Sequence, residues 1–211
     1  MADATYDVAI IGAGTVGCAT ARAYALQGLA PVVLEQARDI LEGASKGNSA
    51  ILHTGFDAPP GSVEAACVRD GHSEYLRVRE RLNLPLVESG ALVVAWSDEE
   101  LTRLDGIVDK AQQNGVNDVD RLSADSLRQR EPGLATTAMG AVRVPREHVI
   151  DPWSAPLAYA RQAIANGAEI RTDCAVTEAR LTDGVWTLTT ARGPVRTRVV
   201  VNCAGNHGDL V

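Results

Sequence analysis

Residues 6–17 read YDVAIIGAGTVG, and residues 31–35 read PVVLE: a strand, a glycine-rich turn, a helix and a second strand that ends on Glu35. In this arrangement Gly12 allows a sharp turn, Gly14 lets the backbone approach a pyrophosphate, and Gly17 lets the helix pack closely on the strand. The helix N-terminus adds unpaired N–H groups and the positive end of its dipole for the phosphates. Glu35 lies 18 positions beyond Gly17, near the ~20 expected for a carboxylate that bonds a ribose hydroxyl, and it would repel a 2′-phosphate. The flanks agree with this reading. Val8, Ala9, Ile10 and Ile11 make the short apolar run of a strand buried on both faces. Ala21 and Ala25 keep the helix thin, and Gly28 sits where a helix ends. The stretch therefore specifies a pocket for the adenosine diphosphate half of a dinucleotide, without saying which dinucleotide.

Composition narrows the possibilities further. The chain has 211 residues, 45% of them hydrophobic, enough for a substantial core in one domain or in parts of two. Its net charge of −7 provides no footprint for nucleic acid or for an anionic membrane surface. Cys18, Cys67, Cys174 and Cys203 are scattered without C-x-x-C spacing, so neither a disulfide framework nor a zinc site is implied, and no metal is expected. MADATYD lacks a basic stretch followed by an apolar one, and no apolar run approaches the ~20 residues of a membrane span. The default location is cytoplasmic, with peripheral membrane contact left open.

Beyond Glu35 the chain does not continue as a regular series of strand-helix-strand units. Residues 36–62, QARDILEGASKGNSAILHTGFDAPPGS, are polar, glycine-rich and too long for an ordinary connection. A helix is expected over 63–82 with Val68, His72, Tyr75 and Leu82 on one face, then a strand at 90–96. Ser97 can cap a helix carrying Leu101, Leu104, Val108 and Ala111. A short strand near Val119 and a capped turn from Ser123 follow, so 84–144 reads as a separate α+β unit. Asp151-Pro152 reads as the N-cap and first residue of another helix, with Trp153, Leu157, Ala160 and Ile164 as its apolar stripe and Gly167 at its end. Three strands, 174–181, 185–191 and 195–202, are then joined by Asp183-Gly184 and by Arg192-Gly193-Pro194. The last strand ends on Ala204-Gly205, as if something must approach its carboxyl end closely.

Three motifs together make a family recognisable: DVAIIGAGTVG through Glu35, ASKGNSAILHTG with its continuation PPGSVEA, and the pair VIDPW and VVNCAG. The sequence resembles FAD-dependent oxidoreductases built like D-amino-acid oxidase. It is more similar still to the branch holding flavin-linked glycerol-3-phosphate dehydrogenases and L-2-hydroxyglutarate dehydrogenases or oxidases. The resemblance implies an α/β fold, a Rossmann-like FAD-binding domain of the glutathione-reductase type formed by 1–83 and 145–211, into which 84–144 inserts part of a substrate domain. It also implies that Gly12, Gly14, Thr15, Val16 and Gly17 hold the pyrophosphate, with Glu35 on the adenosine ribose and Gln36 beside it. Ser45, Asn48 and Ser49, with the backbone to Leu52, would run along the ribityl chain toward the flavin. Val176 would meet the adenine edge, and Ala204 and Gly205 would make a second close approach to the cofactor. The implied activity is removal of a hydride from a small anionic hydroxy compound, glycerol 3-phosphate or a 2-hydroxy acid, to flavin N5. The electron acceptor is left open. An amine or amino-acid oxidase on the same scaffold and a non-catalytic dinucleotide-binding module are the alternatives.

The resemblance places His53 at the flavin end of its loop and makes it the candidate catalytic residue, able to orient substrate, exchange a proton or tune the flavin. A structural, hydrogen-bonded histidine is the competing reading. In relatives that oxidise methylated glycines, a histidine in a W-H-A-A-G context carries the flavin covalently, and Ile51-Leu52-His53-Thr54-Gly55 departs from that pattern. Ser45, Asn48 and Ser49 also fit loop residues that bond their own backbone. His72 is expected to face the core and His148 to lie in a loop. Arg143 and Arg146 suit either an anionic substrate or solvated strand edges. Family members run well beyond 211 residues, and the resemblance ends roughly halfway along them, so the sequence reads as an N-terminal portion of such an enzyme.

Overall fold

The structure is a computed structural model that describes residues 5–211; residues 1–4, which open the segment read as lacking a leader, lie outside it. The described residues begin with β1 (Thr5–Ile11), α1 (Thr15–Leu26) and β2 (Pro31–Leu34), followed by a 3-10 turn at Ala44–Lys46 and the short strand β3 (Ile51–Leu52). Next come α2 (Val63–Leu82), β4 (Leu86–Val87), β5 (Ala91–Ala95), α3 (Asp98–Gln113), β6 (Asp120–Ser123), α4 (Ala124–Arg130), β7 (Gly140–Val144) and β8 (His148–Ile150). The remainder holds α5 (Ser154–Ala165), β9 (Glu169–Arg171), β10 (Val176–Thr182), β11 (Val185–Thr190) and β12 (Val195–Asn202).

These elements form two compact units, one from the residues up to Ser49 together with Pro152–Val211, the other from Ala50–Asp151. The expected division at 83/84 and 144/145 differs from this. β3 and β4 both pair with β8, so the long loop's second half, α2 and β8 belong with the inserted segment.

The first unit is built on a six-stranded sheet in the order β10-β11-β12-β1-β2-β9. Its β12, β1, β2 and β9 run parallel, while β10 and β11 form an antiparallel meander into β12. β1 reads as a continuous apolar run because both of its faces are covered. On one side Val8, Ile10 and Val33 pack with Ala21, Ala25 and Ala163 of the two helices. On the other, Ala9, Val32 and Leu34 pack with Cys174, Leu188 and Val195. Alanines along α1 and α5 permit close approach, and Arg22 donates to Gln162 across the pair at 2.5 Å.

One expected helix start needs correction. Helix α5 begins at Ser154 with Trp153 as its N-cap residue, and Pro152 and Trp153 form the turn leading in. A second proline, Pro156, sits in the first helical turn, where a missing N–H breaks no intrahelical bond.

The second unit holds two three-stranded sheets, β3-β8-β4 and β5-β7-β6. Ser62, Ser97 and Ser123 cap α2, α3 and α4, each accepting a backbone N–H three residues on. Leu104 and Ala111 of α3 are buried, with Leu101 and Val108 packed beside them, against Val142 and Val144 of β7. On α2 the buried side chains are His72, Tyr75 and Val78. His148, expected in a loop, is the first residue of β8 and pairs with Leu52. The polar 36–62 stretch is likewise less irregular than its composition suggests, holding the 3-10 turn, β3 and the cap of α2.

Candidate functional site

At the carboxyl ends of β1, β2 and β12 the first unit opens into a cleft of about 830 Å³. Gly12 sits at φ +101° after β1, and a Cβ there would lie 2.5 Å from the Cys203 carbonyl oxygen, so only glycine lets β1 turn this close to the end of β12. At Gly17 a Cβ would stand 1.9 Å from the Gly12 carbonyl oxygen, which brings α1 directly onto the turn. Gly14 is different. Its backbone has an ordinary φ of −72°, and an added Cβ would meet just the Ser45 hydroxyl, at 3.0 Å.

The first i→i−4 bond of α1 runs from Cys18 N–H to the Gly14 carbonyl at 3.0 Å, which leaves the amides before it without helical partners. Thr15 N–H donates to the Ser45 hydroxyl at 3.0 Å, and the first turn carries no acidic residue. Glu35, 9% exposed, braces the turn: one carboxylate oxygen accepts Ala13 N–H at 2.7 Å and the other accepts Ala37 N–H at 2.9 Å. Two of the roughly four lone-pair sites of that carboxylate are thus used, and the others remain available to hydroxyl donors. Beneath the brace, burial and the nearby Glu35 charge push the Cys18 thiol up to about 11.

Of the residues expected to hold a cofactor, Gly12, Gly14, Thr15, Val16, Glu35, Gln36, Ser45, Val176, Ala204 and Gly205 line the cleft. Gly17 lies buried behind it. Asn48 donates to the Ser45 carbonyl at 3.0 Å, shaping the loop, and Ser49 is exposed. Leu52 is buried in β3 of the second unit. Sequence reading missed Asn202, which accepts Ala204 N–H at 3.0 Å and donates to the Gly208 carbonyl at 2.7 Å, holding the turn after β12. It also missed Glu42 and His207 on the cleft wall. Asn202 stands inside VVNCAG, whose turn chemistry could have singled it out. Among the described residues no lysine or arginine lines the cleft, so an anion there meets backbone N–H groups and the helix dipole rather than side-chain cations.

His53 lies in the second unit, just after β3. Its side chain is 49% exposed, and its Nδ1 stands 3.0 Å from Oε2 of Glu147. Glu147, 3% exposed, also accepts Thr54 N–H at 2.5 Å and the Thr54 hydroxyl at 2.9 Å through its other oxygen. Sequence reading missed this carboxylate entirely. Asn114, at the end of α3, ties down the residues that follow, donating to the carbonyls of Gly55 and Ala58 at 2.8 Å each. Arg143 is paired with Asp120, and Arg146 makes a bidentate pair with Asp118 that holds the Asp118 carboxyl below the usual carboxylate range. Both guanidinium groups are therefore engaged within the unit. His72 Nε2 lies 3.3 Å from the Arg146 carbonyl. Among the described residues, no group of three histidine, cysteine or acidic side chains is arranged to hold a metal, and no helix is long and apolar enough to cross a membrane.

A parallel sheet whose first strand turns through GAGTVG into a helix, with a carboxylate closing the second strand and a cleft at the strand ends, defines a dinucleotide-binding α/β protein. Residues 7–211 match the sequence pattern of the FAD dependent oxidoreductase family, and the chain belongs to that family. It is 32% identical over 206 residues to glycerol 3-phosphate dehydrogenase of Caloramator mitchellensis, an alignment covering 98% of this chain and 43% of the relative. Against the mitochondrial L-2-hydroxyglutarate dehydrogenase of Nematostella vectensis the identity is 30%, over 97% of this chain and 48% of the relative. The dithionite-reduced L-α-glycerophosphate oxidase of Mycoplasma pneumoniae, solved with FAD bound, superposes with a TM-score of 0.86 at 25% identity, over 93% of this chain and 53% of that one. Glycine oxidase from Bacillus cereus superposes with a TM-score of 0.84 at 27% identity, covering 94% and 55%. The chain thus spans about half the length of the relatives it matches.

Proposed function

We propose that the first unit binds FAD and that the protein oxidises the C–H bond of a small anionic hydroxy compound, glycerol 3-phosphate or a 2-hydroxy acid. The observation that carries this reading is the cleft itself, with the start of α1 opening onto it at Gly14, Thr15 and Val16, a braced carboxylate at Glu35 and, among the described residues, no cation to welcome a 2′-phosphate. Residues and cofactor fit: an added Cβ at Gly14 would stand at the helix terminus the pyrophosphate needs, and Glu35 keeps lone pairs for ribose hydroxyls. Gly12, Gly14, Thr15, Val16 and Gly17 would hold the pyrophosphate, Glu35 and Gln36 the ribose side, Val176 the adenine edge, and Ala204 and Gly205 the second approach. Ser45, Asn48, Ser49 and Leu52 would follow the cofactor toward its ring.

FAD, when bound, supplies the two-electron acceptor that such an oxidation requires. The chain's own part is to bind, orient and exchange a proton. His53 would take the hydroxyl proton on Nε2, leaving the bonding pair on the substrate oxygen. The second unit would contribute part of the substrate domain. The hydroxy-compound reading is supported by the glycerol 3-phosphate and L-2-hydroxyglutarate dehydrogenases among the relatives. Similarity to glycine oxidase supports the second reading, an amino-acid oxidase.

The visible spectrum of the purified chain tests the cofactor. Yellow protein that releases FAD on heating is expected, and colourless protein that binds NAD but not FAD would sink the proposal. In a longer form of the protein, bleaching of the flavin absorbance by glycerol 3-phosphate or a 2-hydroxy acid, and not by amino acids, separates the two readings.

A further inference from the structure

We infer that Glu147 is a positioning residue that fixes the ring tautomer of His53, so that Nε2 is presented as a proton acceptor. The inference rests on the proposed role of His53 and adds a residue to which no role has been given. A carboxylate 3% exposed is costly to bury, and a stabilising role alone would be served more cheaply by an apolar side chain. Its two oxygens are divided. Oε1 is taken by both donors of Thr54, at 2.5 and 2.9 Å, which lock the carboxyl group in place. Oε2 is left facing His53 Nδ1 at 3.0 Å. A carboxylate can only accept here, so the neutral imidazole must carry its proton on Nδ1. The lone pair then falls on Nε2, on a ring whose side chain is 49% exposed. The arrangement follows the logic by which a buried carboxylate orients a histidine base in serine hydrolases.

The isosteric variant Glu147→Gln makes this testable. Its amide oxygen must stay with the two Thr54 donors, because turning the NH₂ group toward Thr54 N–H would set donor against donor. The NH₂ then points at His53 Nδ1, which becomes the acceptor, and the ring proton moves to Nε2. Shape and packing are retained while the tautomer inverts.

The experiment is two-bond proton–nitrogen correlation of the imidazole rings in the 211-residue chain with ¹⁵N-labelled histidine, at a pH where the neutral ring is the main species. The four histidines, His53, His72, His148 and His207, are assigned by deletion. The wild type is expected to show His53 as the Nδ1–H form and Glu147→Gln to show it as the Nε2–H form, with His72 unchanged as a reporter of intact fold. Thr54→Val, which removes the hydroxyl donor but keeps the backbone one, should leave the wild-type tautomer in place. A wild-type His53 in the Nε2–H form, or the same form in wild type and Glu147→Gln, would overturn the inference. Because this readout needs neither cofactor nor turnover, it stands apart from the fate of the functional proposal. An inverted tautomer with unchanged kcat in a longer, FAD-loaded form would support Glu147 as the positioning residue and remove His53 from the proposed chemistry.

Discussion

The sequence assigns Glu35 to a ribose; in the structure its carboxylate serves the protein itself. Its two oxygens satisfy Ala13 N–H and Ala37 N–H, so the carboxylate pins the glycine turn to the end of β2 before any ligand arrives. Glu35→Gln is therefore expected to destabilise the ligand-free chain by about 1–3 kcal/mol, because an amide must set its NH₂ against one of the two N–H groups. Urea unfolding without FAD measures this, and an unchanged midpoint would refute the brace. Below it, Cys18 is fully buried and its thiol is pushed up to about 11, first by burial and then by the Glu35 and Cys203 charges. The folded state thus keeps the proton that the unfolded chain releases near pH ~8.5. The resulting stability is fully present below that pH and is lost as pH rises toward about 11. Cys18→Ala should flatten the fall in thermal midpoint over that alkaline window, and an unaltered slope would assign the effect elsewhere.

At the scale of elements, the start of α1 separates two glycine roles that one motif merges. At Gly17 an added Cβ meets backbone at 1.9 Å, whereas at Gly14 it meets a single hydroxyl at 3.0 Å with φ in the ordinary range. Gly17→Ala should disrupt folding of the unit. Gly14→Ala should fold with a thermal midpoint within a few degrees of wild type yet bind FAD at least ~10-fold more weakly, a loss of about 1.4 kcal/mol. Equilibrium titration of the refolded variants with FAD checks both, and wild-type affinity in Gly14→Ala would mean that the pyrophosphate does not approach there. These local features were legible because the glycine spacing, the apolar run of β1 and the capping serines Ser97 and Ser123 all act within a few residues of themselves. The start of α5 was misread because Asp151-Pro152 is a sound local signal that competes with a second one, Trp153 before the Pro156 turn. Glu147 was not legible at all. Its partner Thr54 lies 93 positions away, and nothing in PREHV marks its glutamate as buried.

For the whole molecule the decisive property is where charge is absent. The chain carries a net charge of −7, and its cleft is lined by Glu35 and Glu42 with no lysine or arginine among the described residues. A ligand's phosphates must then be held by oriented N–H groups at the start of α1, which can satisfy a pyrophosphate lying across the helix end but not a further dianion near Glu35. Every residue lining the cleft lies within 11–45 or 175–211, so all of them belong to the first unit. Recognition of the adenosine diphosphate half should therefore need residues of the first unit and none of the second. ADP-ribose is expected to raise the thermal midpoint, since a ligand at 100 times its Kd stabilises by about 2.7 kcal/mol. ADP-ribose 2′-phosphate should give no shift at the same concentration, because its extra charge would be buried against Glu35 without a counter-ion. Raising salt should not rescue it, as a partly buried repulsion is screened far less than a surface one. Equal shifts from the two compounds would show that Glu35 does not face the ribose, and with that the orientation proposed for FAD in the cleft would fall.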